Sequence, residues 1–460
     1  MDGIKLSANS RIGVIGGGPS GAMTAFFLLE MAERLGLPLT VDLYESRHFT
    51  RYGPSGCNMC AGVVSESLIQ TLAAEGIPLP SSMVIQRGID SYVLHTSGLP
   101  VVTIDTPVDE VRIAAVYRGS GPRKPTGDQS WSSFDHFLLE MARHKGANIL
   151  PLRVTDLAWD AGRPKVMARG GHSQTYDFLV GAVGVNSPTL EKFGDLGFAF
   201  APPQVNKGFL AEIYLGAEQV QQYMGSSLHI FLLDIPRLKF AALIPKVEYV
   251  TVCLLGERID KSLIQQFMES PEVRACFPPD LNWSPTDKNC EQGVGQACHC
   301  GPRLNLGPAI NPFGDRVAMV GDAAVTRLYK DGIGAAYITA KACAVTALFF
   351  GISANDFQQH YQPVIRRIAA DNRIGRFIFW VTLFYQEWRF LRRGMVQMVT
   401  DEKKLPGLHR RMSRVLWDTF TGSASYREIL LRTLHPRFSL HLLYATLRSW
   451  WTARTRRFSP

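Results

Sequence analysis

Three glycines and one acid carry the first chemical signal. Gly16, Gly18 and Gly21 stand in G-x-G-x-x-G spacing, with Ser20 inside the loop and Glu45 downstream. In that spacing the first glycine permits a tight turn, the second lets the backbone approach a pyrophosphate, and the third lets a helix pack closely on a strand. A helix opening behind such a loop offers phosphates its free N–H groups and the positive end of its dipole. Glu45 is suited to accept hydrogen bonds from a ribose diol. A related group comes far later. Gly321 and Asp322 close an apolar run, and a loop leads through Gly332 and Gly334 into another helix. Asp322 at a strand end suits a ribitol or ribose hydroxyl. The backbone of 332–334 suits a phosphate or an isoalloxazine ring. An aspartate ahead of a helix also serves as a plain cap, so this second group takes its meaning from the first. The early loop alone fits any dinucleotide, NAD included. A second nucleotide-binding strand so late in one chain is what FAD requires when it lies extended across a domain, and it points to FAD.

These residues need particular elements around them. Residues 12–15 form an apolar run that reads as a buried parallel strand. Residues 22–35 are rich in alanine, leucine and methionine and read as a helix. Residues 40–44 predict the second strand, ending on Glu45. The late strand is 316–320 and its helix 334–350. Between the two groups, 65–75, 133–145 and 261–268 predict helices. Residues 84–116 and 208–256 hold short β-type runs bounded by turn residues, which fit an antiparallel sheet better than βαβ units. Residues 166–171 and 175–180 read as a hairpin, and 354–451 as helices.

With 460 residues and an ordinary apolar content, the chain is long enough for two or three domains and is not globally disordered. No signal peptide is read at the N-terminus. The longest apolar stretch, 335–350, is interrupted by Lys341 and reads as a buried helix rather than a span. Eight cysteines in this length do not make a disulfide scaffold, so a reducing cytoplasm is the expected compartment. Charge is unevenly spread: residues 361–460 carry 19 Lys+Arg against 6 Asp+Glu, more than the whole excess of the chain. A basic segment interleaved with aromatics, as in residues 377–385 and 438–451, suits the inner surface of a membrane, to which it would attach peripherally. A helical cap with a solvated basic face reads equally well. Nucleic acid is not expected as a partner, since no recognised module is present.

The motifs together resemble a family. GVIGGGPSG at 13–21, Glu45 at a strand end and VGDAA at 320–324 are similar to FAD-dependent oxidoreductases of the p-hydroxybenzoate hydroxylase fold. Within that fold the match is to the geranylgeranyl reductase family. FDHFLLEMARHKGANI at 134–149 resembles its Phe-Asp-x-x-Leu helix. FAALIPK at 240–246 stands where its Tyr-x-Trp-x-Phe-Pro-Lys segment would, keeping Pro245 and Lys246. CNMCAG at 57–62 follows the second strand as a Cys-Gly-Gly segment does there. The resemblance covers roughly residues 10–350 by motif order. The sequence departs from it at GAVGVNS, 181–187, where Val183 replaces the acid of an Asp-Gly motif. It departs again at Trp131, where the family has an arginine; Arg118, ahead of an apparent insertion, is the candidate to stand in for it. The proline expected after the Gly-Asp motif is absent.

The resemblance implies an α/β protein: a Rossmann-like FAD-binding domain (1–80, 130–190 and 300–350), an inserted antiparallel β-sheet substrate domain (81–129 and 191–299), and a helical basic C-terminal region (351–460). It implies an enzyme that reduces carbon–carbon double bonds in a prenyl or other small apolar, lipid-like substrate. The alternatives are a monooxygenase or dehydrogenase of an aromatic or quinone-type substrate, and an electron-transfer flavoprotein. The electron donor would be NAD(P)H or a reduced carrier. Gly16, Gly18, Ser20, Gly21, Glu45, Gly321, Asp322, Gly332 and Gly334 would bind FAD, and Cys57 is the candidate active-site residue. Cys60, Cys298 and Cys300 extend that thiol set. Reduced, packed cysteines are the plainer reading of these four, with a redox dithiol or a metal centre as alternatives, so no metal is assigned. The loop RGSGPRK, 118–124, reads either as an anion site or as a solvated basic loop.

Overall fold

A computed structural model describes residues 4–51, 56–79, 84–107, 113–119, 133–281 and 297–455, without the side chains of 408 and 452–455. Most of the 118–124 loop and Trp131 lie outside the described residues. The chain forms two compact units: Met1–Asn58, Ser132–Asn206 and Arg303–Asn372 make the first, and Met59–Trp131, Lys207–Pro302 and Arg373–Pro460 the second. Residues 59–79 and the helices from 373 onward therefore group with the β-sheet unit, where the sequence reading set them apart from it.

The first unit is built on a six-stranded sheet in the order Phe313–Gly314, Val317–Met319, Phe178–Gly181, Arg11–Ile15, Thr40–Tyr44, Asn148–Leu150. All neighbours run parallel except the short Phe313–Gly314 strand. Ile12, Val14, Val41, Leu43, Leu179 and Val180 are fully buried, as a sheet covered on both faces requires. The helix Pro19–Arg34 starts with proline in its first turn, where the missing N–H costs nothing. It packs on the helices Gly332–Val345 and Phe134–His144. The Arg11–Ile15 strand has Thr40–Tyr44 on one side and the much later Phe178–Gly181 on the other. The glycine loop thus leaves the sheet where strand order reverses, the place at which open α/β sheets bind ligands.

One sequence expectation changes here. The hairpin read at 166–171 and 175–180 forms instead between Arg163–Ala168 and Ser173–Thr175, with Val154–Asp160 on the other edge. Phe178–Gly181 departs from it to the parallel sheet. All four of its residues are buried, and Asp177 donates its N–H to the Arg11 carbonyl at 2.8 Å, which starts the parallel ladder. The buried helix expected at 335–350 is present within Gly332–Phe350, although by length and composition this stretch is also a candidate membrane span. It is a core helix of this unit, with Ile333, Ala335, Ala336, Ala340, Cys343 and Ala344 buried.

The second unit contains a seven-stranded sheet in the order Ala297–Cys300, Phe209–Tyr214, Tyr249–Gly256, Leu238–Pro245, Ser227–Leu232, Ser91–Thr96, Val102–Asp105. It is antiparallel except where Ser227–Leu232 meets Ser91–Thr96 in parallel. Alternation sends Phe209, Ala211, Ile213, Val250, Val252 and Leu254 to one face. There they pack with Leu263, Ile264 and Phe267 of the helix Lys261–Glu269. The C-terminal helices add to this unit through buried aromatics: Trp417 stacks on Tyr92 with centroids 4.4 Å apart, and Phe379 stacks on Phe240 at 5.6 Å.

Candidate functional site

In the first unit the predicted glycines and acids come together around the start of the Pro19–Arg34 helix. Gly16 has φ +104°, and an added β-carbon would meet the Ala182 carbonyl, so only glycine makes this turn. Gly18 caps the helix in extended backbone. Gly21 lies so close to the Gly16 carbonyl that a β-carbon there would overlap it. Glu45 leaves the Thr40–Tyr44 strand and accepts the Gly17 N–H at 2.8 Å and the Arg47 N–H at 2.7 Å. Burial pushes its carboxyl above the ordinary range, and these two N–H groups oppose the shift only in part.

The late group closes on the same loop. Gly321, at φ +61°, would carry a β-carbon 2.6 Å from the Ser20 side chain. The Gly321 N–H donates to Thr339 Oγ1 at 2.9 Å, and Asn305 Nδ2 donates to the Asp322 carbonyl at 2.7 Å. Asp322 itself is half-buried in a single tight turn, Gly321–Ala323. Gly332 and Gly334 form the first turn of the Gly332–Val345 helix, and Asp331 caps it by accepting the Gly334 N–H at 3.0 Å. Arg327 pairs with the other Asp331 oxygen at 2.7 Å, and burial still pushes this carboxyl up. Asn372 fixes the loop between the two glycine groups: it accepts the Leu328 N–H at 2.9 Å and donates to the Thr326 carbonyl at 2.7 Å.

Whether FAD suits this cradle is tested by the polar groups it leaves over. The Gly18 N–H has no hydrogen-bond partner among the described residues. Thr326 Oγ1 is buried without one and lies about 3.5 Å from the β-carbon position of Gly332. A buried polar atom without a partner costs free energy, and such atoms at a glycine cradle and a helix start match a phosphate-bearing ligand. The residues fit the cofactor.

Cys57 lies beside this cradle. Its carbonyl accepts from Arg47 at 3.3 Å, and the next residue, Asn58, accepts from the same Arg47 nitrogen at 3.0 Å. Asn58 then donates to the fully buried Asp135 at 2.9 Å, and it stands 3.0 Å from the β-carbon position of Gly18. Sequence reading did not single out Asn58, Thr326, Asn372 or Asp331. The Phe-Asp start of the 134–144 helix was the one written clue, and it pointed to Asp135.

The second unit carries a polar row on the sheet face opposite its core. Glu212 accepts from Lys246 at 2.6 Å and from Thr251 at 3.0 Å, and all three are buried. Cys298 stands across from Glu212 and Cys300 across from Leu210, which also faces Cys253 on its other side. Burial, with a further push from Cys60, raises the Cys253 thiol to about 12, the behaviour of a packed thiol rather than a reactive one. The seven described cysteines are free. Among the described residues, no three-ligand metal group includes Cys57, Cys60, Cys298 or Cys300.

No protein-family model and no curated protein matches the sequence. The fold does match solved structures. The flavoprotein/dehydrogenase from Cytophaga hutchinsonii is similar over 97% of this chain and 100% of its own, at 13% identity and TM-score 0.58. The p-nitrophenol 4-monooxygenase PnpA from Pseudomonas putida DLL-E4 is similar over 90% and 98%, at 13% identity and TM-score 0.56. The peptidyl tryptophan dihydroxylase QhpG is similar over 82% and 76%, at 21% identity and TM-score 0.53. At these identities the likeness is one of fold. It is the FAD-binding flavoprotein fold that the sequence resemblance implied, with mixed parallel and antiparallel sheets and a helical C-terminal region.

Proposed function

We propose that this protein is an FAD-dependent oxidoreductase that reduces carbon–carbon double bonds in a prenyl or other lipid-like substrate. The observation that carries the cofactor is the cradle: two glycine turns, Glu45 and Asp322 at strand ends, and two helix starts, all in one unit. The loop 16–21 and the Pro19–Arg34 helix start would take the pyrophosphate. Glu45 would take the ribose diol and Asp322 the ribitol, and the Gly332–Gly334 turn would lie against a phosphate or the ring. When bound, FAD supplies the hydride chemistry. Asp135 is fully buried and Glu45 half-buried, and Arg47 and Asn58 hold the Cys57 segment beside the cradle. The prenyl-type substrate rests on the sequence resemblance at 134–149 and 240–246. Phe134, Asp135 and Leu138 of the first of these segments form the buried side of a helix.

A membrane-bound substrate also suits the C-terminal helices. The Pro436–Thr455 helix turns Phe438, Ala445 and Ser449 inward, leaving Leu440, Leu443, Leu447 and Trp451 each more than half exposed. With Arg437 and Arg448 beside them, these residues suit peripheral attachment to an anionic leaflet on the cytoplasmic side.

The second reading is a monooxygenase of an aromatic or quinone-type substrate. It is favoured by the solved structures that share the fold, several of which are oxygenases. One experiment separates the two. The purified flavoprotein is reduced and offered a geranylgeranyl lipid without oxygen, and in parallel offered aromatic substrates with NADPH in air. Saturation of the prenyl chain supports the reductase. Substrate-dependent oxygen uptake with a hydroxylated product and no anaerobic turnover supports the monooxygenase.

A further inference from the structure

Three side chains that the flavin reading does not use meet inside the β-sheet unit. His95 lies on the Ser91–Thr96 strand, His229 on Ser227–Leu232, and Cys276 follows the short helix Pro271–Arg274. The two strands pair in parallel, with Phe231 opposite His95 and Val93 opposite His229, so the imidazoles are diagonal neighbours on one face. His95 Nε2 and His229 Nδ1 are 3.0 Å apart, and Cys276 Sγ lies 3.3 Å from His229 Nδ1 and 3.8 Å from His95 Nε2. All three residues are buried, with 4%, 7% and 3% of their surface exposed. Among the described residues this is the group of His, Cys, Asp or Glu ligands that converges tightly enough for a metal ion.

We propose that His95, His229 and Cys276 bind one zinc ion that staples the sheet to its helical layer. Zinc bonds of about 2.0–2.1 Å to nitrogen and about 2.3 Å to sulfur set tetrahedral neighbours roughly 3.3–3.6 Å apart. The three separations bracket that range. Two imidazoles and one thiolate are a donor set that zinc prefers, and a water-sized ligand completes the tetrahedron. A plain hydrogen-bonded trio explains the site less well. The two imidazole nitrogens can share a single proton, the thiol is a weak donor already directed at the Glu272 carbonyl at 3.4 Å, and His95 Nδ1 is buried without a partner. Glu272 also stands close enough to act electrostatically on His95, the place of an outer acid that steadies a ligating imidazole. On binding, the Cys276 S–H bond breaks, sulfur keeps the electron pair for zinc, and the proton passes to solvent. Phe231 stacks on His95 at 4.4 Å and packs edge-on against Phe267 at 5.4 Å, so the ion would sit where the sheet meets the helix Lys261–Glu269.

The inference stands apart from the flavin assignment, and its test does not read activity. The full chain, dialysed against metal-free buffer, is analysed for zinc and then offered zinc chloride or cobalt chloride alone. The expected result is about one zinc per chain, a tetrahedral cobalt spectrum with a thiolate-to-cobalt band, and loss of both in Cys276→Ala and His229→Ala. Wild-type protein that is folded yet holds and takes up no zinc would overturn the proposal. So would a cobalt spectrum without the thiolate band, or a folded Cys276→Ala chain that keeps its zinc. Should the variants fail to fold, the wild-type cobalt spectrum alone still decides.

Discussion

The glycine cradle of the first unit and the Glu212 network of the second handle buried polarity in opposite ways. The cradle of the first unit keeps donors in reserve: the Gly18 N–H and the Thr326 hydroxyl have no described partner, and the Glu45 carboxyl is held above its usual range by burial. The Glu212 network of the second unit is closed on itself, with Lys246 and Thr251 both on Glu212. A surface prepared for a ligand carries unmet polar groups and pays in stability, whereas a structural network is closed within the chain. Substitutions in the two units should therefore fail differently.

The largest effect falls on the glycine loop. Gly21→Val places a side chain where the Gly16 carbonyl already lies, so the helix start must move away from the strand. The expected outcome is purified protein devoid of flavin, read by visible absorbance, with a lowered melting temperature. Wild-type flavin content in this variant would break the account of the loop. Next in size is Lys246→Met. It removes the ammonium that faces the buried Glu212 carboxylate, at a cost of about 3–5 kcal/mol in denaturant unfolding. The double variant Lys246→Met/Glu212→Leu should recover most of that loss. No recovery would mean that the pair does more than balance itself.

Glu45→Gln tests the cradle more gently. It should weaken FAD binding about tenfold, or about 1.4 kcal/mol, in a titration of apoprotein. Its pH signature has a definite sign. Because the folded carboxyl titrates above its ordinary value of 4.5, the folded apoprotein holds this proton more tightly than the unfolded chain does. The contribution is fully present below 4.5 and is lost as pH rises through the folded-state value. The variant should lack this slope, and an unchanged slope would assign it to another group. The smallest effect on stability comes from Leu443→Ser with Leu447→Ser on the exposed helix face. Unfolding should shift by no more than about 0.5 kcal/mol, while binding to anionic lipid vesicles is lost. Unaltered vesicle binding would remove the membrane proposal without touching the flavin one.

The same contrast governs what could be read from the sequence. Gly16, Gly18, Gly21 and Glu45 do local work on one strand–loop–helix–strand segment, so their spacing alone conveys it. Gly321 and Asp322 are legible for the same reason. Asn58 and Asn372 are not, because each gains meaning from a partner brought near by tertiary packing, such as the Asn58–Asp135 bond across 77 positions. His95 and His229 lie 134 positions apart, and only the parallel register of their strands places them together. The Phe178–Gly181 strand was assigned to a hairpin by proximity in the chain, although its unbroken apolar run is the mark of a parallel strand.

Cofactor analysis of the purified full chain tests the central claim most directly. The cradle predicts about one FAD per chain, released on denaturation and identified by mass, with reconstitution of stripped protein by FAD but not by NAD. A folded chain that carries no flavin and takes up none from added FAD would contradict it.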